Sequence, residues 1–279
     1  MFPDLGSRYQ FIHKIDEGGA GIVWQAVDTH SGRRVAVKRL KTAAAAVDGI
    51  INKFKIEANI YLMLNHKNIV MLKNFIITDE GDHYLIMEYI DGTPIDKYVK
   101  KFPNNRMPQE VAIAIMKEIV KGIGYGHERK IPIEGYDGVL HLDIKPSNVM
   151  VSNNGQVKII DYGISQGTTE QRSEKIMGTL MFMAPCQLDI NSELDNRTDI
   201  YALGLLFYYM LTGSYPHPNN LSNEDIFERI INTPINKMPN IKTGTGLKIQ
   251  LILEKATEKS PIDRYQNCNE LLTALNELD

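Results

Sequence analysis

The chain has 279 residues, 43% hydrophobic and 23% charged, with a formal net charge of −3. That length allows one large domain or two small lobes, and the composition excludes a disordered chain. The negative balance argues against a partner held by bulk positive charge, such as nucleic acid, and two cysteines are too few for a disulfide framework or a zinc cage. Strand patterns fill the first third. Residues 9–15 alternate and lead into a glycine cluster, and residues 22–28, 35–40, 69–77 and 83–90 are rich in β-branched and apolar side chains. Over 48–64, Ile51, Phe54, Ile60, Met63 and Leu64 approximate helical spacing. Residues 91–94 (DGTP) read as a turn that breaks the strand pattern.

Helices dominate beyond that point. Residues 109–127 form a long amphipathic pattern with Pro108 as its start signal. Residues 199–213 are apolar nearly all round, which predicts a buried helix, since the run is too short to span a bilayer. Further helices are predicted over 224–231, 246–257 and 269–278. Strands followed by helices imply an α+β class, with two lobes joined near residues 88–92. The N-terminal sequence has no basic stretch followed by an apolar core, so the expected location is cytoplasmic, with no membrane partner.

Three places carry residues with chemical capacity. Gly18, Gly19 and Gly21 lie between two strand patterns, where backbone amides can approach a phosphate chain; the same run also suits a plain hairpin turn. Lys38 sits on an apolar strand, so it either snorkels to the surface or meets a negative partner, for which Glu57 is the candidate. The sharpest cluster is HLDIKPSNVM, residues 141–150, with Asp143, Lys145 and Asn148. There an aspartate can accept a proton from an attacking hydroxyl, a lysine can neutralise a transferring phosphoryl group, and an asparagine carbonyl can ligate magnesium. Asp161 ends the apolar run VKIID and, with Asn148, reads as a two-ligand magnesium site.

In this order the motifs resemble the eukaryotic-type (Hanks-type) serine/threonine protein kinases. The likeness runs from Tyr9 to about Leu278: the glycine loop, VAVK, the helix Glu57, MEYIDG, HLDIKPSN, DYG, GTLMFMAP, DIYALG and DRY. It implies a bilobal α+β fold, with residues 1–279 as one kinase domain (N-lobe about 1–90, C-lobe about 91–279) closing on ATP and Mg2+, with Mn2+ as a substitute. The partner it implies is a protein substrate bearing a serine or threonine hydroxyl. The glycines would cover the nucleotide phosphates, and Val23 and Ala36 would pack on adenine. Met87 would guard the back of the adenine pocket and Met150 would close it from below, while backbone groups of Glu88 and Ile90 bond the base. Lys38, held by Glu57, would contact the α- and β-phosphates. Asp143 would be the catalytic base and Lys145 the γ-phosphate stabiliser, with Thr179 placed against both, and Asn148 and Asp161 would hold the metal. Asp199 would prop up the catalytic loop, and Tyr61, Leu72, His141 and Tyr162 match the family's stacked residues.

The chain departs from the pattern in several places. Asp16 stands where the first loop glycine is usual, and Pro94 where some relatives carry an acid. Leu142 replaces the arginine before the catalytic aspartate, which in relatives holds an activation-segment phosphate. Phosphorylation of Thr168, Thr169 or Ser173 therefore has no evident cationic anchor, and activity without it is expected. Cys186 replaces the glutamate that pairs with an arginine at the position of Arg264, so Arg264 must find another acceptor. An excursion of about eight residues lies before His141 and suits an exposed loop. Two other readings stay open: a scaffold that keeps the fold without the chemistry, and a small-molecule kinase. The DYG…GT…AP segment speaks against the second.

Overall fold

The computed structural model describes residues 2–18, 21–40, 58–59, 61–130, 138–162, 180–189, 191–218, 221–239 and 244–278. The chain divides into two compact units, one reaching to Asp91 and one beginning at Gly92. The first is a five-stranded antiparallel sheet of β1 (Tyr9–Gly18), β2 (Gly21–Asp28), β3 (Arg33–Leu40), β4 (Leu72–Ile77) and β5 (His83–Glu88), in the order β1-β2-β3-β5-β4. Asp28 closes the β2–β3 turn, because its carboxylate accepts from the His30 amide and the Ser31 hydroxyl while Gly32 takes a left-handed φ of 66°. Side chains alternate across the sheet. Trp24, Ala26, Val35, Val37, Tyr84 and Ile86 share one face and form the buried core of this unit with Tyr9.

In the second unit, α1 (Ile95–Tyr98) is a single turn and α2 (Gln109–His127) is long. Pro108 stands at the N-cap position of α2 without a side-chain capping bond, and a stripe from Ala112 to Ile123 is buried. α3 (Asn196–Thr212) is buried from Thr198 to Thr212, as its all-round apolar sequence predicts. It starts at Asp195, whose carboxylate accepts from the Arg197 amide, and ends at Gly213 with φ 66°, where a Cβ would collide with the Asn105 carbonyl. α4 (Asn223–Asn232), α5 (Gly244–Ala256) and α6 (Cys268–Asn276) follow.

A three-stranded sheet of β6 (Gly92–Pro94), β7 (Val149–Ser152) and β8 (Val157–Ile159) completes this unit. This corrects the expectation that residues 91–94 are only a turn. Gly92, Thr93 and Pro94 pair with Ser152, Val151 and Met150. A Cβ on Gly92 would meet the Val151 carbonyl oxygen at 2.5 Å, so glycine is what lets the two backbones approach. Pro94 fits because it is the last residue of a short edge strand.

Candidate active site

The loop between α2 and β7 contains the sharpest sequence cluster. Buried Asp199 on α3 holds its start: Oδ2 accepts from the His141 amide and Oδ1 from the Leu142 amide, both at 2.7 Å. His127, at the end of α2, donates from Nε2 to the same Oδ2 at 2.8 Å, and the Cys268 thiol lies 3.6 Å from its Nδ1. Burial pushes the Asp199 pKa up, but the hydrogen bond from His127, the electrostatic influence of the two imidazoles and the His141 amide hold it below the usual carboxylate value. With those acceptors in place, Leu142 takes a left-handed φ of 61°, a conformation costing a non-glycine residue about 1–2 kcal/mol.

Asp143 follows, with its side chain 22% exposed. Lys145 Nζ donates to both its carboxylate oxygens, at 2.9 and 2.8 Å. Asn148 Nδ2 donates to the Asp143 carbonyl and to its Oδ2, both at 2.8 Å, which directs the amide oxygen away from Asp143. The Ile160 amide donates to the Asn148 carbonyl at 2.9 Å, and His141 Nε2 donates to the Ile160 carbonyl at 3.1 Å. These bonds place Asp161 one residue from the strand contact with Asn148. Asp161 also has a left-handed φ, 59°. The His141 ring packs on Tyr162, 4.7 Å between centroids, and Tyr162 fills the space beside Gly126.

The donor chemistry fits magnesium. Among the described residues no group of three or more His, Cys, Asp and Glu side chains could hold a metal alone. An amide oxygen and a carboxylate suit a hard ion that completes its shell with water and phosphate oxygens.

In the first unit, strand register brings the expected nucleotide positions onto one face. Val23 lies opposite Lys38, Lys38 is two residues from Ala36, and Ala36 lies opposite Met87, so all four project to the face away from the Trp24 core. Gly21, paired with Leu40, continues this row. Lys38 is only 5% exposed, so it does not snorkel. The Glu88 amide donates to the Met71 carbonyl at 2.9 Å, which leaves any contact of Glu88 with a base to its carbonyl. Asp16 is exposed, its Oδ1 accepting from the Glu17 amide at 2.9 Å. Met150 lies on β7 opposite Pro94, in the second unit. Gly19, Glu57, Thr168, Thr169, Ser173 and Thr179 lie outside the described residues, as does the middle of the excursion before His141.

A model of the protein kinase domain matches residues 9–276. The chain belongs to the protein kinase domain family. It is 31% identical over 98% of its length to a probable serine/threonine-protein kinase of Clostridium perfringens, and 29% identical over 96% to the serine/threonine-protein kinase PrkC of Bacillus subtilis. It spans 38% and 40% of those proteins, about two fifths of each. Among solved structures, the PknI kinase domain of Mycobacterium tuberculosis superposes with a TM-score of 0.75 at 22% identity, covering 98% of this chain and 96% of that one, a likeness of fold. The α+β, Hanks-type kinase fold read from the motifs is therefore the fold of this chain.

Two residues at the site carry no signal that the motif reading used. His127 joins Asp199 in holding the loop, and Gln187 donates from Nε2 to the Leu142 carbonyl at 2.8 Å. A histidine ending a long amphipathic helix, and a glutamine following the AP of the activation segment, are the patterns that point to them.

Proposed function

We propose that the chain acts as an ATP-dependent serine/threonine protein kinase, moving the γ-phosphate of ATP to protein hydroxyls. The observation that carries this is the joining of Asp143, Lys145 and Asn148 in one hydrogen-bonded cluster, tied by backbone to the segment ending in Asp161. Asp143 orients the substrate hydroxyl and accepts its proton, and Lys145 offsets charge developing on the transferring phosphoryl group. Asn148 and Asp161 would hold Mg2+, with Mn2+ as a substitute, which supplies charge neutralisation at the phosphates when bound. Lys38, with Glu57 as its partner, serves the α- and β-phosphates. Gly18, Gly19 and Gly21 approach the phosphate chain. Val23, Ala36, Met87, Met150, the Glu88 carbonyl and the Ile90 amide serve adenine. By family resemblance, Thr179 would serve Asp143 and Lys145. Residues 1–279 make one kinase domain.

Lys145 and Pro146 favour serine and threonine acceptors, as do the names of the relatives. Among the described residues no helix is long and apolar enough to cross a membrane. Two free thiols and the use of ATP suit the cytoplasm. The test is transfer of radiolabelled phosphate from ATP with Mg2+ to a serine/threonine peptide library. Wild type labels the peptides and Asp143→Asn does not; equal signals refute the reading.

A further inference from the structure

Gln187 lies in the turn Pro185–Leu188 and is anchored on its own backbone. Its Oε1 accepts from the Ala184 amide at 2.9 Å, and its amide donates to the Ala184 carbonyl at 3.0 Å. The side chain therefore has one end left, Nε2, and it is aimed at the Leu142 carbonyl at 2.8 Å. That carbonyl belongs to the peptide unit that joins Leu142 to Asp143. The other edge of the same unit is the Asp143 amide, which donates to His141 Nδ1 at 3.3 Å. The unit is thus held on both edges, at a residue whose φ of 61° is one that a leucine leaves unless held. Asp199 fixes the Leu142 amide, but its hydrogen bonds go to His127, His141 and Leu142 and none goes to the peptide plane that follows.

We propose that Gln187 is a positioning residue for Asp143. It holds the peptide whose rotation would swing the aspartate carboxylate away from its line of attack. The inference rests on the reading of Asp143 as the proton acceptor. The same bond joins the Ala184–Leu188 turn to the catalytic loop. Leu142 brings no cationic side chain to the loop, and the tie is a neutral hydrogen bond from Gln187 to the backbone.

Two variants separate the roles. Gln187→Leu removes both amide ends with little change of volume. Gln187→Glu keeps the acceptor for the Ala184 amide and replaces the donor to Leu142 with a carboxylate oxygen that repels the carbonyl. With the peptide library and ATP, kcat should fall about tenfold in both, while the KM for ATP moves less than about twofold. The melting temperature of Gln187→Glu should stay within about 2 °C of wild type, because the Ala184 amide keeps its acceptor, which it loses in Gln187→Leu. Unchanged kcat in Gln187→Glu, or a kcat loss in that variant matched by a large fall in melting temperature, overturns the proposal. Hydrogen exchange provides a readout free of activity. Amides of residues 141–143 should exchange about tenfold faster in both variants, with the rest of the second unit unchanged. Unchanged exchange there also overturns it. If wild type transfers no phosphate above Asp143→Asn, the kinase reading falls, and exchange still decides whether Gln187 holds the loop.

Discussion

The Arg264 guanidinium lies over the ring of Tyr201, 4.8 Å from its centroid, and donates to three backbone carbonyls: Glu258 at 2.7 Å, Arg197 at 2.9 Å and Lys259 at 2.8 Å. It is 2% exposed, and among the described residues no carboxylate forms an ion pair with it. The acceptor demanded by the loss of glutamate at position 186 is therefore the peptide backbone. The carbonyls engage three of the five guanidinium N–H donors and bring no negative charge to the cation. Burial lowers the Arg264 pKa, and neighbouring Lys259 is brought down to about 8, by burial first and then by the Arg264 charge.

Cys186→Glu should therefore stabilise the chain. A carboxylate there faces Arg264 and restores a charge partner for a cation that is already desolvated. A gain of about 1 kcal/mol would raise the melting temperature by about 2–4 °C. Cys186→Ala is the control, since it removes the thiol, with its contacts to the Thr198 hydroxyl at 3.4 Å and to Arg264, without adding a charge. A melting temperature for the glutamate variant at or below that of wild type refutes the argument.

Stability should fall with acid because of His217. This imidazole is buried, and its Nε2 has no partner among the described residues. Burial, followed by the charges of Lys259 and Arg229, lowers its pKa from 6.5 to about 4. A depressed folded-state value means that the neutral ring is favoured in the native chain. The contribution is unaffected above pH 6.5 and is lost as the pH falls toward 4, because the unfolded chain takes up the proton first. Asp199, held below its ordinary value of 3.8, adds its own loss only at lower pH. Melting temperatures measured from neutral pH down to pH 4 should decline in wild type and decline less in His217→Phe. Parallel curves would exclude His217 as the cause.

The family was legible because its motifs bind their chemistry to short stretches of sequence. Asp143, Lys145 and Asn148 lie within one loop, and their contacts are local. Strand alternation was equally readable, so Val23, Ala36, Lys38 and Met87 fall on one face as two-residue periodicity requires. Long-range contacts that no family motif marks were not. Gln187 reaches a carbonyl 45 positions earlier, and Arg264 one 67 positions earlier. Nothing local in either segment specifies those partners. The pairing of Gly92–Pro94 with β7 was hidden for the same reason, since glycine and proline signal a turn until a partner strand is known.

Gly126→Ala tests how tightly the loop is backed. A Cβ at this position would collide with the hydroxyl oxygen of Tyr162 and lie 3.0 Å from its Cζ. Tyr162 is buried and packs on His141, so its ring cannot move without disturbing the catalytic loop. Alanine gains at most about 1 kcal/mol of helix propensity, against about 1–3 kcal/mol for overpacking a filled space. The expected outcome in denaturant melts is a net loss of about 1–2 kcal/mol, accompanied by reduced transfer activity. Wild-type stability would show that Tyr162 yields easily.

Activity should not require phosphorylation of the activation segment. A phosphate orders such a segment by attracting a cation held on the catalytic loop. Here the residue before Asp143 is Leu142, whose backbone is fixed by Asp199 and Gln187. Neither bond involves a group that a phosphate would recruit. Enzyme treated with phosphatase, and the triple variant Thr168→Ala, Thr169→Ala, Ser173→Ala, should both keep kcat within about twofold of untreated wild type. Leu142→Arg introduces the missing cation and should make activity respond to phosphorylation. If phosphatase abolishes transfer in wild type and incubation with ATP restores it, the catalytic loop depends on a phosphate anchor elsewhere, and the hydrogen-bonded tie through Gln187 is not sufficient to order it.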